Sequence, residues 1–314
     1  MLAVHLENGV VTVRDAPIPA RPEGFALLRL LCAGICNTDL ELQRGYYGFS
    51  GTPGHEFVAE VVEADERGLR GRRVTGEINL ACGACAWCHK GLGRHCPNRT
   101  VLGIVNQPGA FQEYFLLPER NLHAVPEEVP TERAVFTEPL AAACEILDQV
   151  AIPPKETVAV LGDGKLGLLV AQALHAHGCA VHLYGHHAEK MRIAGVDARL
   201  ASAGLPTATY QWVVDATGSP EGLRSAARMA QPRGTVILKS TVHGLVEVDT
   251  APIIVNELTL VGSRCGRFEA ALPLLTRNAV RVEEMIAARF PLREAPRAFA
   301  HAARKGVLKV LLTP

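Results

Sequence analysis

Apolar and polar positions alternate in short runs over residues 1–31. MLAVHLENGVVTVRD is followed by prolines at 17, 19 and 22, and the clearest run lies at 25–31. A period of two broken by proline predicts short strands with one buried face. The run 57–63 and the stretch 101–118 extend this β-rich pattern. At 138–150, EPLAAACEILDQV, the pattern becomes that of a helix, which Pro153 and Pro154 end. A domain boundary is expected there.

From residue 157 the order is strand, tight turn, helix, strand. TVAVL leads into Gly162-Asp163-Gly164-Lys165-Leu166-Gly167, then a helix-like segment, then an apolar run at 180–184. In such a unit the first glycine allows the turn, the second lets the backbone approach a pyrophosphate, and the third lets the helix pack on the sheet. The run from Tyr210 ends in Asp215-Ala216-Thr217-Gly218-Ser219 and reads as another parallel strand, with Thr217 at the cofactor crevice. A helix at 220–229, strands at 235–239 and 258–261, and a helix at 268–275 complete this half. The last run, GVLKVLLTP, is a strand expected to return to the first half, because the nucleotide sheet already has its strands.

Which dinucleotide binds depends on the end of the second strand, where an acid suits the 2′-hydroxyl of NAD and a gap with a cation suits the 2′-phosphate of NADP. That end reads Gly185-His186-His187, with no acid until Glu189. The glycine and two histidines favour NADP over NAD.

The 314 residues suffice for two domains. With 32 acidic and 32 basic residues the formal net charge is zero, which gives no support to a nucleic-acid partner. No apolar run is long enough to cross a membrane and the N-terminus has no signal-peptide pattern, so a cytoplasmic protein with no membrane partner is expected. The nine cysteines are an odd number, and four of them cluster. That favours metal ligands over a disulfide framework.

Cys82, Cys85, Cys88 and Cys96 follow a C-x2-C-x2-C-x7-C spacing that can wrap one tetrahedral ion and leave no position open, the arrangement of a structural zinc. His89 and His95 are weaker competitors for those positions, and an iron–sulfur cluster on the same cysteines is a lesser alternative. A second group is dispersed. Cys36 stands before Asn37-Thr38-Asp39, and Gly54-His55-Glu56 opens the next β run. Sulfur, nitrogen and oxygen ligands suit zinc with a position left for substrate. Glu138, before Pro139, is a further ligand candidate, direct or through water.

Taken in order, GICNTD at 34–39, GHE at 54–56, the four-cysteine lobe, EPLA at 138–141, GDGKLG at 162–167 and DATGS at 215–219 resemble the zinc-containing medium-chain alcohol and polyol dehydrogenases over essentially the whole chain. EPL and GHE point to the sorbitol, threonine and glucose dehydrogenase branch. The resemblance implies an α/β protein. A GroES-like β-rich catalytic domain at 1–146, completed by 266–314, would accompany a doubly wound Rossmann coenzyme domain at 147–265. It implies a catalytic zinc on Cys36, His55 and either Glu56 or Glu138, with Thr38 hydrogen-bonding the substrate hydroxyl and Asp39 orienting His55. Many relatives carry a proton-relaying histidine where this chain has Glu41, so Glu41 or water takes that role. A small alcohol, polyol or sugar substrate and a homodimer or homotetramer are also implied. The competing reading is a dehydrogenase-like binding or regulatory protein without turnover. A zinc-free quinone reductase would have no use for Cys36, GHE and the cysteine lobe, and a zinc-ribbon nucleic-acid module would leave the nucleotide half unexplained.

Overall fold

Asn8 and Gly9 both take positive φ, 49° and 80°. That is the conformation of a two-residue hairpin turn, and it joins the antiparallel strands Leu2–Glu7 and Val10–Asp15. The computed structural model describes residues 1–241 and 245–314. It divides the chain into one unit of Met1–Glu138 with Met285–Pro314 and a second of Pro139–Glu284.

The first unit is built on a seven-stranded sheet whose longest member is Phe25–Ile35. Glu56–Glu63 and Tyr114–Pro118 pair with it antiparallel. Its far end pairs with the last strand of the chain, Lys309–Thr313, with Val310 opposite Ile35. The C-terminal run thus closes the sheet that the N-terminal half begins. Phe57 and Phe115 meet edge to face in this core, ring centres 4.9 Å apart, an arrangement favoured by the aromatic quadrupole. The 101–118 stretch is less regular than its composition suggests: only Thr100–Leu102, Asn106–Gln107 and Tyr114–Pro118 are strands.

The second unit carries a six-stranded sheet in the order Asp197–Leu200, Ala180–Gly185, Thr157–Leu161, Tyr210–Asp215, Ala230–Leu238, Thr259–Gly262. Every pairing in it is parallel. This is the doubly wound dinucleotide-binding order, with its crevice at the carboxyl ends of the central strands. Helix Pro220–Met229 buries Ala226, Ala227 and Met229 against Ala159, Leu161 and Val213 of the sheet. The strand expected at 235–239 is longer, Ala230–Leu238, with a register shift between Tyr210 and Trp212 on its partner. The edge strand Asp197–Leu200 is not expected from the sequence pattern. Three of its four residues are exposed and the fourth is half-buried, so it has no apolar face to announce it.

Candidate metal centres and coenzyme cradle

Cys36 follows the long strand Phe25–Ile35 directly and caps the short helix Asn37–Gln43. The Asp39 carboxylate bends back so that its Oδ2 accepts the Cys36 amide at 2.8 Å. This leaves Asp39 Oδ1 facing His55 Nδ1 at 3.4 Å. His55 is delivered by Gly54, whose φ of +104° and contact with the Phe111 ring, 2.4 Å from where a Cβ would stand, admit only glycine. Glu56 opens the neighbouring strand opposite Gly34. A Cβ at residue 34 would lie 2.6 Å from Glu56 Oε2, so that position too has to be glycine.

Ligand atoms of Cys36, His55 and Glu56 all lie within 4.8 Å of one another. His55 is 3% exposed and Asp39 and Glu56 are 0% exposed, yet among the described residues Asp39 Oδ1, His55 Nδ1 and Glu56 Oε1 have no hydrogen-bond partner. Buried polar atoms are rarely left so. The charges point to what is required. With the thiol ionised, Cys36, Asp39 and Glu56 bring three negative charges, and Lys309 returns one through Glu56 Oε2. Burial pushes the His55 imidazole down, but Asp39 and Cys36 push it up further, so that the pocket draws a proton onto the ring. A divalent cation at Cys36, His55 and Glu56 would supply positive charge in place of that proton and give Glu56 Oε1 a partner, while His55 Nδ1 stays turned to Asp39. The residues therefore fit a catalytic zinc with an open position.

Thr38 Oγ1 stands 3.8 Å from Cys36 Sγ. Glu41 lies on the same short helix, and its carboxylate is held by Arg44 at 2.5 Å. Glu138, in the first turn of helix Thr137–Gln149, is half-buried and is not among the three residues whose ligand atoms converge. Its charge does help to raise the Lys309 ammonium: burial pushes that group down, and Glu56, Cys36 and Glu138 more than reverse it. Lys309 is the member of this site that the motif reading does not name. Its signal is a lysine inside the apolar run VLKVLL.

In the cysteine lobe, Sγ atoms lie 3.9 Å apart for Cys82–Cys88, 3.5 Å for Cys85–Cys88, 3.7 Å for Cys85–Cys96 and 3.5 Å for Cys96–Cys82. A tetrahedron with zinc–sulfur bonds of about 2.3 Å has edges of about 3.8 Å, so the four thiols already outline the polyhedron. Gly83 and Gly91 take positive φ, 77° and 73°, to fold the lobe. An amide hydrogen bond at Ala84, with others from Cys96 and Cys85, draws the Cys82 thiol down to about 6. Four sulfurs fill the coordination sphere, as in a structural site.

Strand Thr157–Leu161 runs into the glycine turn and helix Lys165–His177. A Cβ at Gly162 would stand 2.6 Å from the Ala216 carbonyl oxygen, and one at Gly167 would stand 2.0 Å from the Gly162 carbonyl oxygen. Those two glycines serve packing. Gly164 differs: among the described residues no atom comes within 4 Å of the Cβ it lacks, and no side chain caps the helix that starts after it. Open space at an uncapped helix N-terminus fits a pyrophosphate. Lys165 and Leu166 form the first turn of that helix. Thr217 stands beside the turn with its Oγ1 donating to Asp215 Oδ1 at 2.7 Å.

The end of the second strand requires a correction. The sequence suggests vacant space at Gly185 with His186 and His187 nearby. In the structure that space holds the Asp163 side chain, 2.6–2.7 Å from the Cβ that Gly185 lacks. His186 and His187 donate their amides to Asp163 Oδ2 at 2.7 Å each, and the His187 ring approaches the same oxygen at 2.9 Å.

Residues 22–127 match the family described as Alcohol dehydrogenase GroES-like domain, and residues 166–277 match Zinc-binding dehydrogenase. A sorbitol dehydrogenase of Halalkalibacterium halodurans is 30% identical over 98% of this chain and 96% of its own length. Among solved structures, a Sinorhizobium meliloti protein described as a zinc-binding dehydrogenase bound to NADP is 31% identical, with a TM-score of 0.92 over 100% of this chain and 99% of that one. Galactitol-1-phosphate dehydrogenase of Escherichia coli has the same TM-score at 25% identity, with both chains covered in full. The open three-ligand cluster, the closed four-thiolate lobe, the doubly wound sheet and these full-length likenesses place the chain in the zinc-binding medium-chain dehydrogenase/reductase family.

Proposed function

We propose that the chain is a zinc-dependent oxidoreductase that moves a hydride between the hydroxyl-bearing carbon of a polyol or sugar and a nicotinamide dinucleotide. The observation that carries this reading is the convergence of Cys36, His55 and Glu56 ligand atoms, with Glu56 Oε1 buried and unpartnered among the described residues, which suits a divalent cation. When bound, the ion supplies a Lewis acid at the substrate oxygen and the dinucleotide supplies the hydride acceptor. Cys36, His55 and Glu56 would hold the ion and leave room on it for the substrate oxygen. Asp39 keeps the His55 ring in place through its Nδ1 side, and Lys309 fixes one oxygen of Glu56. Thr38 Oγ1 takes the substrate's hydroxyl proton. Glu41 or a water passes it on, with Arg44 setting the position of the Glu41 carboxylate.

In this reading residues 1–146 and 266–314 carry the catalytic chemistry and 147–265 the coenzyme. The substrate class is supported by the sorbitol and galactitol-1-phosphate dehydrogenase likenesses. All nine cysteines are free thiols, and thiolate zinc ligands suit a reducing compartment, which supports a cytoplasmic protein. Among the described residues no helix is long and apolar enough to cross a membrane. A homodimer or homotetramer is supported by the open edge strand Thr259–Gly262 with its exposed Leu260.

The test is a coupled measurement on zinc-loaded protein: metal content, and formation of reduced coenzyme at 340 nm with polyols, aldoses, L-threonine and simple alcohols, each with NAD and with NADP. Two zincs per chain and turnover of a polyol or sugar are expected. Two bound zincs with no turnover of any hydroxyl substrate would favour the binding or regulatory reading instead.

A further inference from the structure

In sheets of this strand order an acid at the end of the second strand receives the hydroxyls of the adenosine ribose. Strand Ala180–Gly185 ends without one, and Glu189 is an exposed residue of the following helix. The carboxylate found at that end comes from the neighbouring strand's glycine turn. Asp163 lies across Gly185 so closely that any side chain there would collide with its Cβ, Cγ and Oδ2. Glycine at residue 185 thus makes room for an acid of the same chain.

The two carboxylate oxygens of Asp163 are used differently. Oδ2 accepts from the His186 amide, the His187 amide and the His187 ring, which fixes the side chain against the loop. Among the described residues Oδ1 has no hydrogen-bond partner, and the side chain is 13% exposed, so this oxygen retains its capacity to accept. Burial pushes the carboxyl up, but the hydrogen bonds from His187 and His186 outweigh it and hold the group below its ordinary value, ionised at neutral pH. The His187 ring faces this carboxylate, and the His186 side chain is exposed.

We propose that Asp163 is the coenzyme-specificity residue. It stands in for the missing acid of the second strand, offers Oδ1 to the ribose 2′-hydroxyl, and sets a fixed negative charge where a 2′-phosphate would have to lie, so that the chain selects NAD(H) over NADP(H). The selection works by a repulsive element as much as by an attractive one. It rests on the dinucleotide-binding reading above and runs against the NADP preference expected from Gly185-His186-His187.

The test is fluorescence titration of the full-length zinc-loaded protein with NADH and with NADPH, for wild type, Asp163→Asn and Asp163→Ser. Asn keeps an acceptor at Oδ1 without the charge, and Ser removes both. Wild type should bind NADH at least about tenfold more tightly than NADPH, a difference within reach of one charged contact. Both variants should bring the ratio of the two dissociation constants to about one, with NADPH gaining in absolute affinity. A merely structural role for Asp163 would weaken both nucleotides together and leave the ratio alone. Wild-type protein that binds NADPH as tightly as NADH overturns the proposal and leaves the dinucleotide reading intact, even where neither variant folds. Wild-type protein that binds neither nucleotide overturns both.

Discussion

A lysine with 1% of its surface exposed keeps its charge only beside a fixed anion, and Lys309 has that anion in Glu56 Oε2. The pair adjoins the Cys36–His55–Glu56 cluster, so its strength depends on whether a metal is present. Without the ion, Lys309 is the cation paired with Glu56 at this acidic site, apart from whatever proton His55 captures. With the ion, it is one of two. Lys309→Met should therefore cost the metal-free protein about 3–5 kcal/mol, the usual result of stranding a buried charge, and the zinc-loaded protein distinctly less. Urea denaturation with and without zinc measures both. The double variant Lys309→Met/Glu56→Gln should recover part of the loss, because it removes the stranded charge along with its partner. Equal losses in the two metal states would show that Lys309 contributes packing alone.

The glycine turn between strand Thr157–Leu161 and helix Lys165–His177 separates two roles that a motif reading merges. Gly167→Ala places a methyl 2.0 Å from a backbone oxygen, which the helix can relieve only by moving off the sheet. A stability loss of about 1–3 kcal/mol is expected from such overpacking, together with weaker coenzyme binding. Gly164→Ala meets no atom of the described residues within 4 Å and keeps a φ of −81° that alanine accepts. It should leave the melting temperature nearly unchanged and still weaken NADH binding at least tenfold, since the methyl fills the space left for the pyrophosphate. A Gly164→Ala protein with wild-type affinity would mean that the dinucleotide lies elsewhere. These local patterns are what made this part of the fold legible in sequence: the glycine spacing, the apolar runs of the central strands and the cysteine spacing are all short-range signals. Strand Asp197–Leu200 was illegible because its exposed side chains carry no pattern, and the role of Lys309 because its partner lies 253 residues away in sequence. Asp163 reads in sequence as part of the glycine turn and not as a neighbour of Gly185, for a related reason. Its effect on Gly185 arises from strand adjacency, Leu161 lying opposite Tyr184 in the parallel pair, which a linear reading of the second strand's end does not contain.

Across the molecule, the two metal clusters should respond to mutation in opposite ways. The four-cysteine lobe holds the short segments Ala86–His89 and Gly93–His95 with little buried apolar side chain of its own, and Trp87 and Leu92 are 49% and 39% exposed. A metal is what such a lobe has in place of a core. Cys82→Ala should lose one zinc per chain and lower the melting temperature, whereas Cys36→Ala should lose the other zinc and all turnover while the lobe stays intact. Metal analysis of the two variants beside their melting curves decides this, and an exchange of the two phenotypes would exchange the assignments of the clusters.

Thr259–Gly262 ends the six-stranded order, so one side of its backbone ladder has no partner among the described residues. Just before it, Ile254 and Val255 are 70% and 78% exposed, and Leu260 on the strand itself is 40% exposed. An open edge flanked by exposed aliphatic side chains invites pairing with another chain unless charge blocks it. A second copy presents the same edge, and self-complementary contacts of this kind close as two-fold dimers. Wild-type protein should therefore run as a dimer or a dimer of dimers in light scattering at micromolar concentration. The double variant Ile254→Glu/Leu260→Lys should shift it toward monomer while the helical and strand signals in circular dichroism remain. Wild-type protein that is monomeric at tens of micromolar would remove this edge as an assembly surface, and an unchanged oligomer in the variant would move the interface to another face.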